Sequence, residues 1–308
     1  MSIPEAFART MVELYGPAGA AWLERLPTLI GEYEQRWSLT VGRPFPNLSY
    51  NYVAPAARAD GTQVVLKLGV VNPELLAEIE ALRLYDGRGC ARLLAADAAQ
   101  GSLLLEQLQP GTPLTRLAEV DDEQSTTIAA QVMRALWRPL PANHPFPTTA
   151  KWAAGLQRLR ATFNGDTGPF PAALVETAEH LFAELLASSA EPVLLHGDLH
   201  HDNILAAERQ PWLALDPKGL AGEPAYEVGA LLRNPSPQYL QWPDAGRLLS
   251  RRLDQLAESL GFERERLWGW SLAQAVLSAW WSYEDHGRGW EEGIACAELL
   301  AAMRRGRG

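Results

Sequence analysis

Three histidines, two aspartates and an asparagine crowd the segment Val193-Leu194-Leu195-His196-Gly197-Asp198-Leu199-His200-His201-Asp202-Asn203-Ile204-Leu205. Shortly downstream, after another apolar run, comes Asp216-Pro217-Lys218-Gly219. Phosphoryl transfer asks little covalent chemistry of a protein. It needs an acceptor for the proton of the attacking hydroxyl and hard oxygen ligands for a Mg²⁺ ion on the phosphates. Asp198 can supply the first, and Asn203 with Asp216 the second. The spacing Asp-x-x-x-x-Asn lets a loop turn back, so that the base faces the acceptor while the amide oxygen faces the metal. A carboxylate at the end of the next strand then reaches the metal from the other side.

The elements that must position these groups follow from periodicity and turn chemistry. Residues 4–36 read as two helices broken at Gly16-Pro17. Leu39–Val41, Ser49–Val53 and Gln63–Val70 read as strands, with Asp60-Gly61 as a hairpin turn. A helix is predicted over 73–86, then strands over Ala91–Ala96 and Ser102–Gln107. Gln109-Pro110-Gly111 punctuates the chain. Beyond it helices are predicted near 121–138, 149–162, 171–189, 243–260, 263–284 and 290–304. A β island interrupts them at Val193–Leu195, Ile204–Ala206 and Trp212–Leu215. The expectation is a sheet-rich part over 1–108 and a mostly helical part over 109–308, with a cleft between them.

Composition narrows the classes. The chain has 308 residues, 47% hydrophobic and 21% charged, enough for two parts with their own cores and with no apolar run of membrane-spanning length. Its start, Met1-Ser2-Ile3-Pro4-Glu5, lacks the basic and apolar regions of a secretion signal. Cys90 and Cys296 stand far apart with no metal-ligand spacing, which suits a reducing cytoplasm. A net charge of -10 argues against nucleic acid as partner and is compatible with a cationic small-molecule substrate. Oligomeric state is not encoded in any of these features. Lysine occurs only at 67, 151 and 218, the rest of the 27 basic residues being arginine. A lysine in a strand therefore stands out, because a compact ammonium suits a phosphate contact or a carboxylate pair. Of the 11 tryptophans all but Trp22 and Trp37 follow residue 130, and they are expected to pack the larger core.

His196-Gly197-Asp198 with Asn203 and then Asp216-Pro217 resembles the aminoglycoside phosphotransferase branch of the protein-kinase-like fold. That resemblance implies an α+β, bilobal kinase that uses ATP and Mg²⁺. It makes Asp198 the catalytic base, Asn203 and Asp216 the metal ligands, and His196 a brace of the loop. Lys67, in Val64-Val65-Leu66-Lys67-Leu68, is similar to the family's phosphate-anchoring strand lysine, and Glu78 to the helix carboxylate that holds it. Glu80 lies on a different face of that helix. Leu103–Leu108 resembles the hinge strand, where the Glu106 carbonyl and the Leu108 amide meet adenine. No G-x-G-x-x-G is present, and Pro44–Ser49 stands where a phosphate-covering loop belongs, so those contacts stay unassigned. The segment Asp216–Gly229 with Leu231-Leu232-Arg233-Asn234-Pro235, and later Ala273–Ser282, looks most like the streptomycin 6-kinase and hydroxyurea phosphotransferase subgroup, which implies antibiotic resistance as a role.

Other readings compete. A single Asp or Asn in a turn is ordinarily a local hydrogen-bonder. His196, Asp198 and His200 could form the dinuclear metal cluster of a phosphoesterase, and the same fold could carry a catalytically silent nucleotide-binding protein. His200 and His201 read as surface loop residues or pocket edges. Lys218 reads as the partner of a nearby carboxylate, and Glu223, Glu227, Glu284 and Asp285 as solvated charges or the lining of a cation pocket. The joint presence of Lys67, Asp198, Asn203 and Asp216 in kinase order favours catalysis.

Overall fold

The structure is a computed structural model that describes residues 3–242 and 244–305. The residues Met1 and Ser2, and the expected helix start at 243, lie outside that range. The chain divides into two units at Gly111/Thr112.

The first unit opens with helices α1 (Glu5–Tyr15) and α2 (Pro17–Arg36), separated at Gly16, whose φ of 56° suits a residue without a side chain. They approach closely. A Cβ on Gly19 would stand 2.1 Å from the Met11 carbonyl oxygen, so only glycine fits there. Strands β1 (Leu39–Val41), β2 (Tyr52–Arg58) and β3 (Gln63–Leu68), helix α3 (Pro73–Tyr85), and strands β4 (Leu93–Asp97) and β5 (Ser102–Glu106) follow. The five strands form one antiparallel sheet in the order β1-β2-β3-β5-β4. Strand periodicity sorts the faces. Val64, Leu66 and Leu68 of β3 join Tyr52, Ala54 and Ala56 of β2 in a core with Phe7, Met11, Leu26, Leu29 and Tyr33, so the leading helices cover one side. Lys67 points to the opposite face, toward α3. The Asn72 side chain caps α3 by accepting from the Leu75 N–H at 2.9 Å, and Pro73 occupies its first turn.

The second strand differs from the expected Ser49–Val53. It runs instead from Tyr52 through Pro55 to Arg58. Pro55 lacks an N–H, yet its carbonyl still accepts from the Gly42 N–H at 2.8 Å, and the alternating burial of Tyr52, Ala54 and Ala56 continues across it.

Strand β6 (Pro110–Pro113) runs through the junction of the units. Beyond it come α4 (Thr115–Ala118), α5 (Asp122–Leu136), β7 (Arg138–Pro139), α6 (Thr149–Ala153), α7 (Gly155–Thr162) and α8 (Ala172–Ala187). Strands β8 (Val193–Leu195), β9 (Ile204–Ala207), β10 (Trp212–Ala214) and β11 (Leu220–Gly222) precede α9 (Val228–Leu232), α10 (Ala245–Leu260), α11 (Arg264–His286) and α12 (Glu291–Arg305). Helix α11 is buried on every side from Leu267 to Leu277, as a helix apolar all round must be, and packs against α8, α9 and α12. Trp268, Trp270 and Trp280 fill this core, which matches the packing role expected of tryptophan here. Among the described residues no helix is long and apolar enough to cross a membrane. Cys90 and Cys296 are both free and buried.

Candidate active site

Two small β structures carry the ionisable cluster. Strand β8 pairs with β7 on one side and β11 on the other, with Leu195 opposite Leu220. Strands β9 and β10 form an antiparallel hairpin with Ile204 opposite Ala214, and the Leu215 N–H extends it by donating to the Asn203 carbonyl at 3.0 Å. That register sets Asp216 at the same end of the hairpin as Asn203. The two loops are stitched side by side, since the His196 carbonyl accepts from the Lys218 N–H at 2.8 Å. Gly197 has φ 86°, and a Cβ there would stand 2.9 Å from the Trp152 ring, so both conformation and space demand glycine. Asp216 itself holds a φ of 62°, an uncommon conformation for a side-chain-bearing residue, which the surrounding hydrogen bonds must maintain.

His196 is fully buried and both its ring nitrogens are engaged. Nε2 lies 2.8 Å from the Leu215 carbonyl and must carry the proton, because Nδ1 accepts from the Asp198 N–H at 3.2 Å. Burial pushes its pKa down to about 4, so the ring is a neutral strut between the two loops. The brace expected of His196 is thus present in the geometry. The same engagement leaves it no lone pair for a metal, and among the described residues no group of three or more His, Cys, Asp or Glu side chains is placed to hold one. The phosphoesterase cluster of His196, Asp198 and His200 is not favoured.

Glu227 grips the loop from below. Its buried carboxylate accepts from the His196 N–H at 2.7 Å and the Gly197 N–H at 2.9 Å. Burial raises its pKa to about 7, against the opposing pull of those two donors. Asn203 donates its Nδ2 to the Asp198 carbonyl at 3.0 Å and closes the turn that starts at Asp198. His200 accepts from the Asp202 N–H at 3.3 Å, and Asp202 in turn accepts from the Thr115 hydroxyl.

The Asp198 carboxylate keeps 29% exposure. Its Oδ1 accepts from the Arg233 Nη2 at 2.9 Å, while Oδ2 lies 3.8 Å from His200 Nε2. Partial burial pushes its pKa up, but His200, Arg233, Lys218 and His196 together outweigh that and hold the carboxyl below the ordinary range. It is ionised at neutral pH. The charge of Lys218 acts on this carboxylate.

In the first unit, Lys67 and Glu78 meet as the sequence led us to expect. The ammonium lies 2.7 Å from both carboxylate oxygens, and both residues are buried. Glu80 instead pairs with Arg83 at the surface. Glu106 closes β5 by accepting from the Arg92 N–H at 3.0 Å, and Leu108 is buried just beyond it.

The family model for aminoglycoside/hydroxyurea antibiotic resistance kinases matches residues 36–286. A hydroxyurea phosphotransferase of Kitasatospora aureofaciens is 36% identical across 97% of this chain and 86% of its own length. A streptomycin 6-kinase of Streptomyces glaucescens is 34% identical across 92% of each. This chain belongs to the aminoglycoside/hydroxyurea antibiotic resistance kinases. Among solved structures, aminoglycoside phosphotransferase APH(4)-Ia, in a ternary complex with ADP and hygromycin B, aligns over 89% of this chain and 97% of its own with TM-score 0.63 at 13% identity. The fold is therefore protein-kinase-like, with a sheet-rich first unit and a helical second.

Several residues of this kinase escaped sequence reasoning. His201, expected at a loop surface or a pocket edge, is completely buried, because the single 3-10 turn His201–Asn203 rolls its ring inward. Glu223 and Glu227, read as solvated or pocket charges, are also buried. Glu223 is paired with Arg266, and Glu227 is committed to the loop backbone. Glu284 pairs with Arg158 at 2.7 Å. Arg233 was visible only as part of a subgroup string. Nothing in its spacing announces a partner 35 residues upstream.

Proposed function

We propose that this kinase transfers the γ-phosphoryl group of ATP, as its Mg²⁺ complex, to a hydroxyl of a small polar acceptor of the streptomycin or hydroxyurea type. The observation that carries the reading is Asp198: an ionised, partly exposed carboxylate on a loop whose backbone is tied down from four directions. Its role is to accept the proton of the acceptor hydroxyl as the oxygen attacks phosphorus.

Asn203 and Asp216 are the residues that would hold Mg²⁺. The donor chemistry fits, because Asn203 commits its amide nitrogen to the loop, which leaves its carbonyl oxygen as a hard ligand, and Asp216 stands beside it in the hairpin register. When bound, the ion neutralises charge on the phosphates. In the first unit, Lys67, steadied by Glu78, takes the α- and β-phosphates, and the Glu106 carbonyl and Leu108 amide receive adenine. The cytoplasm, where ATP is available and both thiols stay reduced, is the proposed place of action.

The test is ADP formation with streptomycin, hydroxyurea and a panel of hydroxylated amines, with parent and Asp198→Ala. Turnover on the true acceptor should fall by at least about 10²-fold in the variant while ATP affinity stays nearly the same. Unchanged turnover would remove Asp198 from its role. Metal-dependent release of phosphate from aryl phosphates without nucleotide would instead favour a hydrolase.

A further inference from the structure

Helix α9 is only five residues long, yet both of its ends hold the catalytic loop. Glu227, at its N-terminal edge, takes two backbone N–H groups of that loop. Arg233, at its C-terminal edge, reaches the side chain of Asp198 itself. Arg233 is held in its turn. Its other terminal nitrogen donates to Gln274 Oε1, and Gln274, only 1% exposed, returns its Nε2 to the Tyr226 carbonyl at 3.5 Å, the residue just before Glu227. Room for Gln274 is made by Gly229 in the middle of α9, where a Cβ would stand 2.3 Å from Gln274 Oε1. The Arg233 side chain keeps only 14% exposure, so this fork is set in protein rather than waving in solvent.

We propose, building on the assignment of Asp198 as base, that Arg233 is a positioning residue that fixes Asp198 through Oδ1 and reserves Oδ2 for the acceptor's proton. A carboxylate free to rotate about its Cβ–Cγ bond presents either oxygen at variable angles. One oxygen clamped by a rigid, planar donor leaves the second at a single place and direction. In the step itself the acceptor O–H bond breaks, its proton goes to Oδ2, its electron pair forms the new P–O bond, and the bond to the ADP leaving oxygen breaks. In this role Arg233 acts through Asp198. Its effect belongs in kcat rather than in KM, because the group it orients works during the chemical step.

Three variants test this on the full chain: Arg233→Ala, Arg233→Lys, and Gly229→Ala, which displaces Gln274 without touching Asp198. Arg233→Ala should lower kcat by about 10- to 100-fold with the KM values for ATP and acceptor within about twofold. Millimolar guanidinium, well below denaturing levels, should restore part of that loss, Arg233→Lys should retain more activity than Arg233→Ala, and Gly229→Ala should lower kcat in the same sense. Thermal unfolding of each variant is measured alongside, so that a failure of Arg233→Ala to fold is recognised and the Arg233→Lys and Gly229→Ala results then decide. Full kcat in Arg233→Ala, a rise in acceptor KM at unchanged kcat, or a loss that neither guanidinium nor lysine relieves would each overturn the proposal. Asp198→Ala, run in parallel, separates the two readings: if that variant keeps full turnover the base assignment itself fails, whereas a disabled Asp198→Ala beside an active Arg233→Ala sinks only the role of Arg233.

Discussion

The buried titratable groups around the loop from His196 to Asn203 pull stability in opposite directions with pH, and the balance can be measured. His196 has a folded pKa near 4 against 6.5 unfolded. Its contribution is therefore complete above about 6.5 and lost as pH falls toward 4, because the unfolded chain binds the proton first. His201, buried and likewise depressed, adds in the same direction. Glu227 has a folded pKa near 7 against 4.5 unfolded. Its contribution is complete below about 4.5 and lost as pH rises through 7. Each shift of that size corresponds to about 3 kcal/mol, so between pH 4.5 and 6.5 Glu227 offsets one of the histidines. Glu227→Gln should unmask them. Urea unfolding at pH 7, 6 and 5 should show the variant losing stability more steeply than the parent, by up to about 1.4 kcal/mol per pH unit. Parallel curves would mean that Glu227 is already ionised throughout. Such roles are hidden in the letters. A glutamate that holds two backbone amides 30 residues away has the same local context as one on a solvated helix face.

At the scale of elements, α5 and α10 are joined by a buried ion pair. Arg252 has no exposed side-chain surface, and its guanidinium meets the Asp122 carboxylate from Nε at 3.0 Å and the Asn234 carbonyl from Nη1 at 2.7 Å. Asp122 also sits in the first turn of α5, where a negative charge suits the helix dipole. Removing one partner leaves the other charged and dry, so Asp122→Ala should cost about 3–5 kcal/mol. A loss of unfolding free energy, from urea titration, of less than a fifth of that amount would show that the guanidinium finds water or another carboxylate. The helices themselves were legible. Periodicity located α5, α8, α10, α11 and α12 to within a few residues, while α9, β7, β11 and the 3-10 turns were missed. Those short pieces have too few residues for a period to show, and they exist because neighbours hold them, as when the Ala221 N–H of β11 donates to the Pro147 carbonyl at 2.8 Å.

For the molecule as a whole, the proposed use of Mg-ATP predicts linkage between nucleotide and folding. Saturating Mg-ATP, at about 100 times its Kd, should stabilise the native chain by about 2.7 kcal/mol, seen as a rise in Tm. Chelating the metal should remove most of that rise, and Asp216→Asn should show little of it in either condition. A rise in Asp216→Asn as large as the parent's, and equally sensitive to chelation, would contradict the metal assignment. The order of the candidate residues along the chain, Lys67, Asp198, Asn203 and Asp216, was readable from sequence, and the kinase class with it, because the motifs that carry them resemble those of the aminoglycoside phosphotransferases. The chain's letters also dictated the main helices and the antiparallel sheet, through periods of 3.6 and 2 that each segment carries by itself. Tertiary structure alone decided which charges are buried and whom they face: Glu227 beneath the loop, Arg233 on Asp198, His201 turned inward. Those outcomes depend on packing between segments tens of residues apart, and no local pattern records an interaction whose second half lies elsewhere in the chain.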